Sequence, residues 1–157
     1  MIDVGFGLGS NIGDKAGHVR RAVALLAERG VAAAIELSPL YRTAPWGGIE
    51  QDWFVNACAA GRTTLAPDDL LAAVKDLEVE IGRTETVRWG PRVIDIDILF
   101  YGDREVDTPD LVLPHRELLR RPFVLVPLAA IRPDLLLGGR RVDELAAAID
   151  DGTVVPV

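Results

Sequence analysis

The sequence predicts an α+β sandwich built on a mostly antiparallel sheet. Three observations carry that prediction. Segments of strand and helix pattern follow one another roughly in the order βαββαβ, with helical pieces added at the end. Two extended runs stand in succession between the first two helices, so the strict alternation of a doubly wound fold is missing. No internal repeat, low-complexity tract or Gly/Ser linker divides the chain, so residues 1–157 are expected to form one domain. A chain of that size buries roughly 70% of the surface its unfolded form exposes, enough for a sizeable core.

IDVGFGL (2–8) alternates apolar with small or polar residues, the period of a half-buried strand. Asp14 is placed to cap a helix running to about Arg29, with Val19, Val23 and Leu26 at helical spacing and Gly30 as the stop. Residues 31–44 read as extended, and 53–64 as a strand after a Pro/Gly loop. APDDLLAAVKDLEVEIG has Pro67 near its first turn, acids after it, and a Leu70, Val74, Leu77, Ile81 stripe ending at Gly82: a helix. Residues 93–101 form the next strand, which Gly102-Asp103 is expected to turn toward a short hairpin partner. RELLRRPFVLVPLAAI reads as a helix disturbed by Pro122 and Pro127, and VDELAAAI as a last short one.

Composition narrows the function. With 49% hydrophobic and 26% charged residues the chain reads as an ordinary soluble protein. A formal net charge of −7 disfavours nucleic acid and anionic membranes, because their phosphates would be repelled. MIDVGFGLGS lacks the basic start and long apolar run of a signal peptide, and no stretch reaches the ~20 apolar residues of a membrane helix. Cys58, the single cysteine, sits in the apolar run FVNACAA and reads as a small buried hydrophobe. A cytoplasmic protein is expected.

RWGPRVIDIDILF (88–100) carries the main chemical signal. Side chains on a strand alternate faces, so Asp95 and Asp97 point the same way while Ile94, Ile96 and Ile98 point the other. Two like charges on one face repel, and Asp is a poor strand former. A divalent cation removes the conflict; oxygen-only ligands suit Mg²⁺, which completes its shell with phosphate and water. Arg83, Arg88, Arg92, Arg116 and Arg121 flank the motif, and the guanidinium fork matches phosphate oxygens. The plainer alternative for the aspartates is a solvated sheet face paired with arginines, and for Arg104, Arg120, Arg140 and Arg141 it is surface salt bridges.

The glycines of GFGLGSNIGD point elsewhere. Gly7, Gly9 and Gly13 fall one residue off the dinucleotide fingerprint, and no P-loop occurs, so they are expected to serve a tight strand-to-helix turn. Gly9-Ser10 lies too far from Asp95 to match a polymerase-β-type nucleotidyltransferase. His115 follows Pro114 at a helix start, where it serves either a ligand oxygen or a helix-start hydrogen bond. Trp46, Trp53, Phe54, Trp89 and Phe123 are candidates to sandwich a planar ring, with core packing as the alternative. The amide of Asn56 offers a donor and an acceptor to the edge of a pterin or purine. Glu78, at the margin of its helix's apolar stripe, is expected to be a solvated flank.

Taken in order, GLGSNIGD, SPLYRTAPWG, FVNA, a helix ending in GR, RWGPRVIDIDILFYG, LVLPH and RPFVLVPLAAI resemble the 6-hydroxymethyl-7,8-dihydropterin pyrophosphokinases of folate biosynthesis. The resemblance covers residues 2 to about 134. It implies a three-layer α/β/α sandwich with a ferredoxin-like βαββαβ core. It also implies Mg²⁺-dependent transfer of a pyrophosphoryl group from ATP to the pterin's hydroxymethyl oxygen, releasing AMP. By motif, Asp95 and Asp97 match the ligands of two magnesium ions, and Arg83, Arg92 and Asp97 the catalytic set. Thr43, Pro45, Trp46, Phe54, Asn56 and Phe123 match the pterin pocket, with Trp89 and Asp95 beside them. His115 and Arg121 match ATP contacts, and Leu71, Lys75, Arg88, Trp89, Ile98, Leu111 and Arg116 fall on the nucleotide side together with Arg92. A monomer is expected, without nucleic-acid or membrane partners. Residues 84–87, Thr-Glu-Thr-Val, are shorter and less basic than in many relatives. From the residues alone two other classes stay open: a metal-dependent phosphohydrolase or nucleotidyltransferase, and a noncatalytic module holding a structural cation.

Overall fold

Strand β1 (Ile2–Ser10) has apolar side chains on one face and glycines on the other, and this asymmetry organises the molecule. A computed structural model of the chain describes residues 1–44, 53–82 and 93–157. β1 lies between β4 (Phe54–Thr63) and β5 (Asp95–Tyr101), antiparallel to both. β2 (Ala33–Leu37) and β3 (Tyr41–Thr43) pair with β4, and β10 (Val155–Pro156) closes the far edge beside β3. The fold is α+β with a mostly antiparallel sheet, and four α-helices accompany it among the described residues.

Val4, Phe6 and Leu8 from β1 join Ala57, Ala59, Ile96 and Ile98 in one core, where they meet helices α1 (Lys15–Glu28) and α2 (Pro67–Gly82). The Asp14 carboxylate accepts the Gly17 N–H at 3.1 Å, which satisfies one of the orphan donors of α1. α2 buries Leu70, Val74, Leu77 and Ile81, the stripe its periodicity predicts. On the sheet's other face Cys58, Leu99 and Phe100 pack against α3 (Pro122–Ile131) and α4 (Val142–Ile149). Cys58 is fully buried, its thiol pointing to the Val124 carbonyl at 3.3 Å; burial pushes its pKa well up, so it is the inert hydrophobe expected.

Several expectations need correction. Gly7 and Gly9 lie inside β1 rather than in the turn that follows; only Gly13, at φ +67°, has the backbone that needs glycine there. Pro122 does not disturb a helix but begins one, because a first-turn residue has no N–H bond to lose. The residues before it form only a short 3₁₀ turn, Leu118–Arg120. After Gly102 the chain does not return against β5; β6 (Val106–Asp107) pairs with β7 (Val112–Leu113) instead. The hairpin of β8 (Leu136–Leu137) and β9 (Arg140–Arg141), and the closing strand β10, were not foreseen.

Candidate active site

The site lies at one end of the sheet, on the face that β1 leaves bare. Two ladder rows cross it: Asn56, Gly9 and Asp95 in one, Cys58, Gly7 and Asp97 in the next. Residues opposite one another in antiparallel strands share a face, so the glycines form a floor between the Asn56 amide and the two carboxylates. A Cβ on Gly9 would stand 2.7 Å from Asn56 Oδ1, so only glycine lets that amide lie across the strand.

Above this floor is a cavity of about 640 Å³, within the usual range for small-molecule sites. Asp95, Asp97, Phe54, Asn56, Thr43, Arg121 and Phe123 all line it. Phe54 enters from the start of β4 and Phe123 from the first turn of α3, each half-buried. Asn56 Nδ2 donates to Thr43 Oγ1 at 2.7 Å, which fixes the direction of the amide. Thr43 is buried, so this bond is shielded from water.

A second groove of about 420 Å³ shares Asp97 as part of its wall. Leu71, Lys75, Ile98, Leu111, His115 and Arg116 line it, the set expected on the nucleotide side. His115 Nδ1 accepts the Leu118 N–H at 3.1 Å. The helix-start bond is therefore real, and it assigns the ring's proton to Nε2, leaving a donor for a ligand. Arg116 lies 3.7 Å from Asp107 in a largely exposed pair, one worth little to stability. Arg121, expected with ATP, lines the main cavity rather than this groove. Pro45, Trp46, Arg83, Arg88, Trp89 and Arg92 lie outside the described residues.

Glu78 is not the solvated flank expected. Its carboxylate accepts the backbone N–H of Ile96 at 3.0 Å, between the two aspartates. β5 ends this sheet path, so its outer edge has no further strand of the sheet to bond, and α2 supplies an acceptor there. Sequence reasoning had only the position of Glu78 beside an apolar stripe. Glu78→Ala leaves that N–H without its acceptor, at a cost of about 1–3 kcal/mol, or roughly 3–10 °C in Tm for a chain of this size. Thermal melts of Glu78→Ala and Glu78→Gln check this: the glutamine oxygen can still accept and is expected to restore most of the loss.

Among the described residues no helix is long and apolar enough to cross a membrane. The described residues form an α+β fold with a cavity and an adjoining groove that share Asp97. The model of the family "7,8-dihydro-6-hydroxymethylpterin-pyrophosphokinase (HPPK)" matches residues 5–133. The chain is 51% identical over 144 residues to a 2-amino-4-hydroxy-6-hydroxymethyldihydropteridine pyrophosphokinase of Methylorubrum extorquens, covering 92% of this chain and 91% of the relative. A Pseudomonas aeruginosa protein of the same name is 43% identical over 142 residues, 90% of this chain and 88% of its own. A solved structure described as HPPK-DHPS in complex with substrates superposes with a TM-score of 0.74 at 13% identity. That likeness shows the fold alone; it covers 94% of this chain and 43% of the longer one. The chain belongs to the 7,8-dihydro-6-hydroxymethylpterin-pyrophosphokinase family, whose activity is a step of folate biosynthesis.

Proposed function

We propose that the protein transfers a pyrophosphoryl group from ATP to the hydroxymethyl oxygen of 6-hydroxymethyl-7,8-dihydropterin, giving AMP and the pterin diphosphate, with Mg²⁺ required. The observation that carries this reading is the sharing of Asp97 between the two cavities: a ring slot on one side, and on the other a groove of apolar residues with both basic and acidic side chains, Lys75, His115 and Arg116 beside Glu78, Asp110 and Glu117. A donor and an acceptor bound there would meet at the aspartates.

The donor set fits magnesium. Both carboxylates are half-buried and project from one strand face into the cavity, and no group of three or more His, Cys, Asp or Glu residues forms a cage among the described residues. Such a site suits a hard cation that brings phosphate oxygens and water as its other ligands. Asp95 and Asp97 would hold two such ions. Bound Mg²⁺ would supply charge neutralisation of the triphosphate and a lowered pKa for the attacking hydroxyl.

Phe54 and Phe123 hold the ring between their faces, while Asn56, oriented by Thr43, reads its polar edge. By motif Pro45, Trp46 and Trp89 are assigned to pterin binding as well. In the groove Leu71, Ile98 and Leu111 provide apolar contact for the base, and Lys75, His115 and Arg116 provide donors to ribose and phosphate, a role the motif gives to Arg88 as well. Arg121 reaches the phosphates from the ring side. The pterin oxygen forms its bond to the β-phosphorus in line, and the bond from that phosphorus to the α–β bridging oxygen breaks, leaving AMP. The hydroxyl proton passes to Asp97 or to a water beside it. Arg83 and Arg92 stabilise the charge on the transferring group, so rate comes mostly from positioning and electrostatics.

We read the sheet order β5-β1-β4-β2 as a ferredoxin-like βαββαβ core within a three-layer α/β/α sandwich, all 157 residues acting as one cytoplasmic, monomeric domain. The test is an incubation with ATP, Mg²⁺ and 6-hydroxymethyl-7,8-dihydropterin, with the nucleotide products separated. AMP is expected, and only when the pterin is present. ADP in its place would overturn the pyrophosphoryl assignment.

A further inference from the structure

The family match ends at residue 133, yet the chain's last residues return to the ring slot. β10 pairs antiparallel with β3, Val155 opposite Arg42 and Pro156 opposite Tyr41, and the Val157 N–H donates to the Leu40 carbonyl at 2.9 Å. Continuing that register backwards sets Val154 beside Thr43 and Thr153 beside Ala44. Val154 is buried, while Asp151 and Thr153 line the same cavity as Thr43, Phe54 and Asn56.

The approach to this strand is tied down by its own side chains. The Asp150 carboxylate accepts the Gly152 N–H at 3.1 Å, and Gly152 adopts φ +80°, where glycine is favoured. Asp151 Oδ1 accepts both the N–H of Thr153, at 3.1 Å, and its hydroxyl. These bonds hold the Asp151 carboxyl below its ordinary pKa, so it is ionised at neutral pH and the turn stays closed.

From this geometry we propose, resting on the pterin reading above, that residues 151–157 form a wall of the pterin slot and hold the strand that orients Asn56. β3 is three residues long and its only other strand partner among the described residues is β4. Thr43 ends it and accepts the bond that aims the Asn56 amide. Bracing β3 on its outer edge therefore fixes the ring-reading group at one remove, and Thr153 bounds the slot directly. The groove carrying Lys75 and His115 includes no residue of this segment. The effect is confined to the pterin.

Two variants of the full chain test this by calorimetry: one ending at Asp150, and Thr153→Trp, which places a ring into the slot from an exposed position. Affinity for the pterin is measured with Mg²⁺ and a saturating non-hydrolysable ATP analogue, and affinity for the analogue separately. The expected result is pterin affinity at least tenfold weaker in both variants, with the analogue's affinity within twofold of the parent. Pterin affinity equal to the parent's in Thr153→Trp would overturn the proposal, whether or not the truncated chain folds. Failure of the parent chain itself to bind pterin while binding the analogue would reject the pterin reading on which the proposal rests.

Discussion

Asp97→Ala is expected to lower kcat by about three orders of magnitude with little unfolding. Asp97 lines both cavities and projects from the same strand face as Asp95. Its loss removes charge that a cation–triphosphate complex requires, a contribution of several kcal/mol, and each 1.36 kcal/mol is about tenfold in rate. Few substitutions separate activity from stability so cleanly. Steady-state rates beside thermal melts check it: near-normal turnover would reject the metal role, and a collapse of Tm would point to a structural ion.

Asn56→Ala is expected to weaken pterin binding by about a hundredfold and to change affinity for an ATP analogue less than twofold. A ligand edge that loses both a donor and an acceptor in a shielded slot is left with unpaired polar groups, costing about 1–3 kcal/mol for each. Gly9→Ala offers a matching test that leaves Asn56 in place. The added methyl would stand 2.7 Å from Asn56 Oδ1, so the amide must swing away from its bond with Thr43. Calorimetric titration of both variants is expected to show losses of the same kind, smaller for Gly9→Ala. Pterin affinity unchanged in Asn56→Ala would remove the amide from the recognition site.

Much of this architecture can be read directly from the chain. Helix α2 announces itself because four apolar residues recur at helical spacing between a proline and a glycine. The aspartate pair stands out because it violates the ordinary preference of a strand. Those signals are local. What was misread depends on neighbours distant in sequence. Gly7 and Gly9 look like turn glycines within GFGLGSN, but the crowding that selects Gly9 comes from Asn56 across the sheet. Glu78 looks solvated on its own helix, and only the sheet edge at Ile96 shows why a carboxylate is useful there. Strand β10, two residues long and containing Pro156, carries no periodicity to detect. Pairing partners, rather than propensities, decided each of these.

Thr43, Phe54, Asn56 and Phe123, which the family motif assigns to the pterin, line one cavity although they come from three different elements. Of the residues expected on the nucleotide side, Leu71, Lys75, Ile98, Leu111, His115 and Arg116 line the groove and Arg121 the main cavity, while Arg88, Trp89 and Arg92 lie outside the described residues. A motif read in order along a chain thus carries spatial information that composition and periodicity do not.

A crystal of the chain with Mg²⁺, a non-hydrolysable ATP analogue and the pterin is the most direct measurement of the central claim. Oxygen atoms of both Asp95 and Asp97 are expected at about 2.0–2.1 Å from bound metal, with phosphate oxygens completing the shell. Carboxylates turned to open solvent, or bonded to arginine with no cation between, would contradict it.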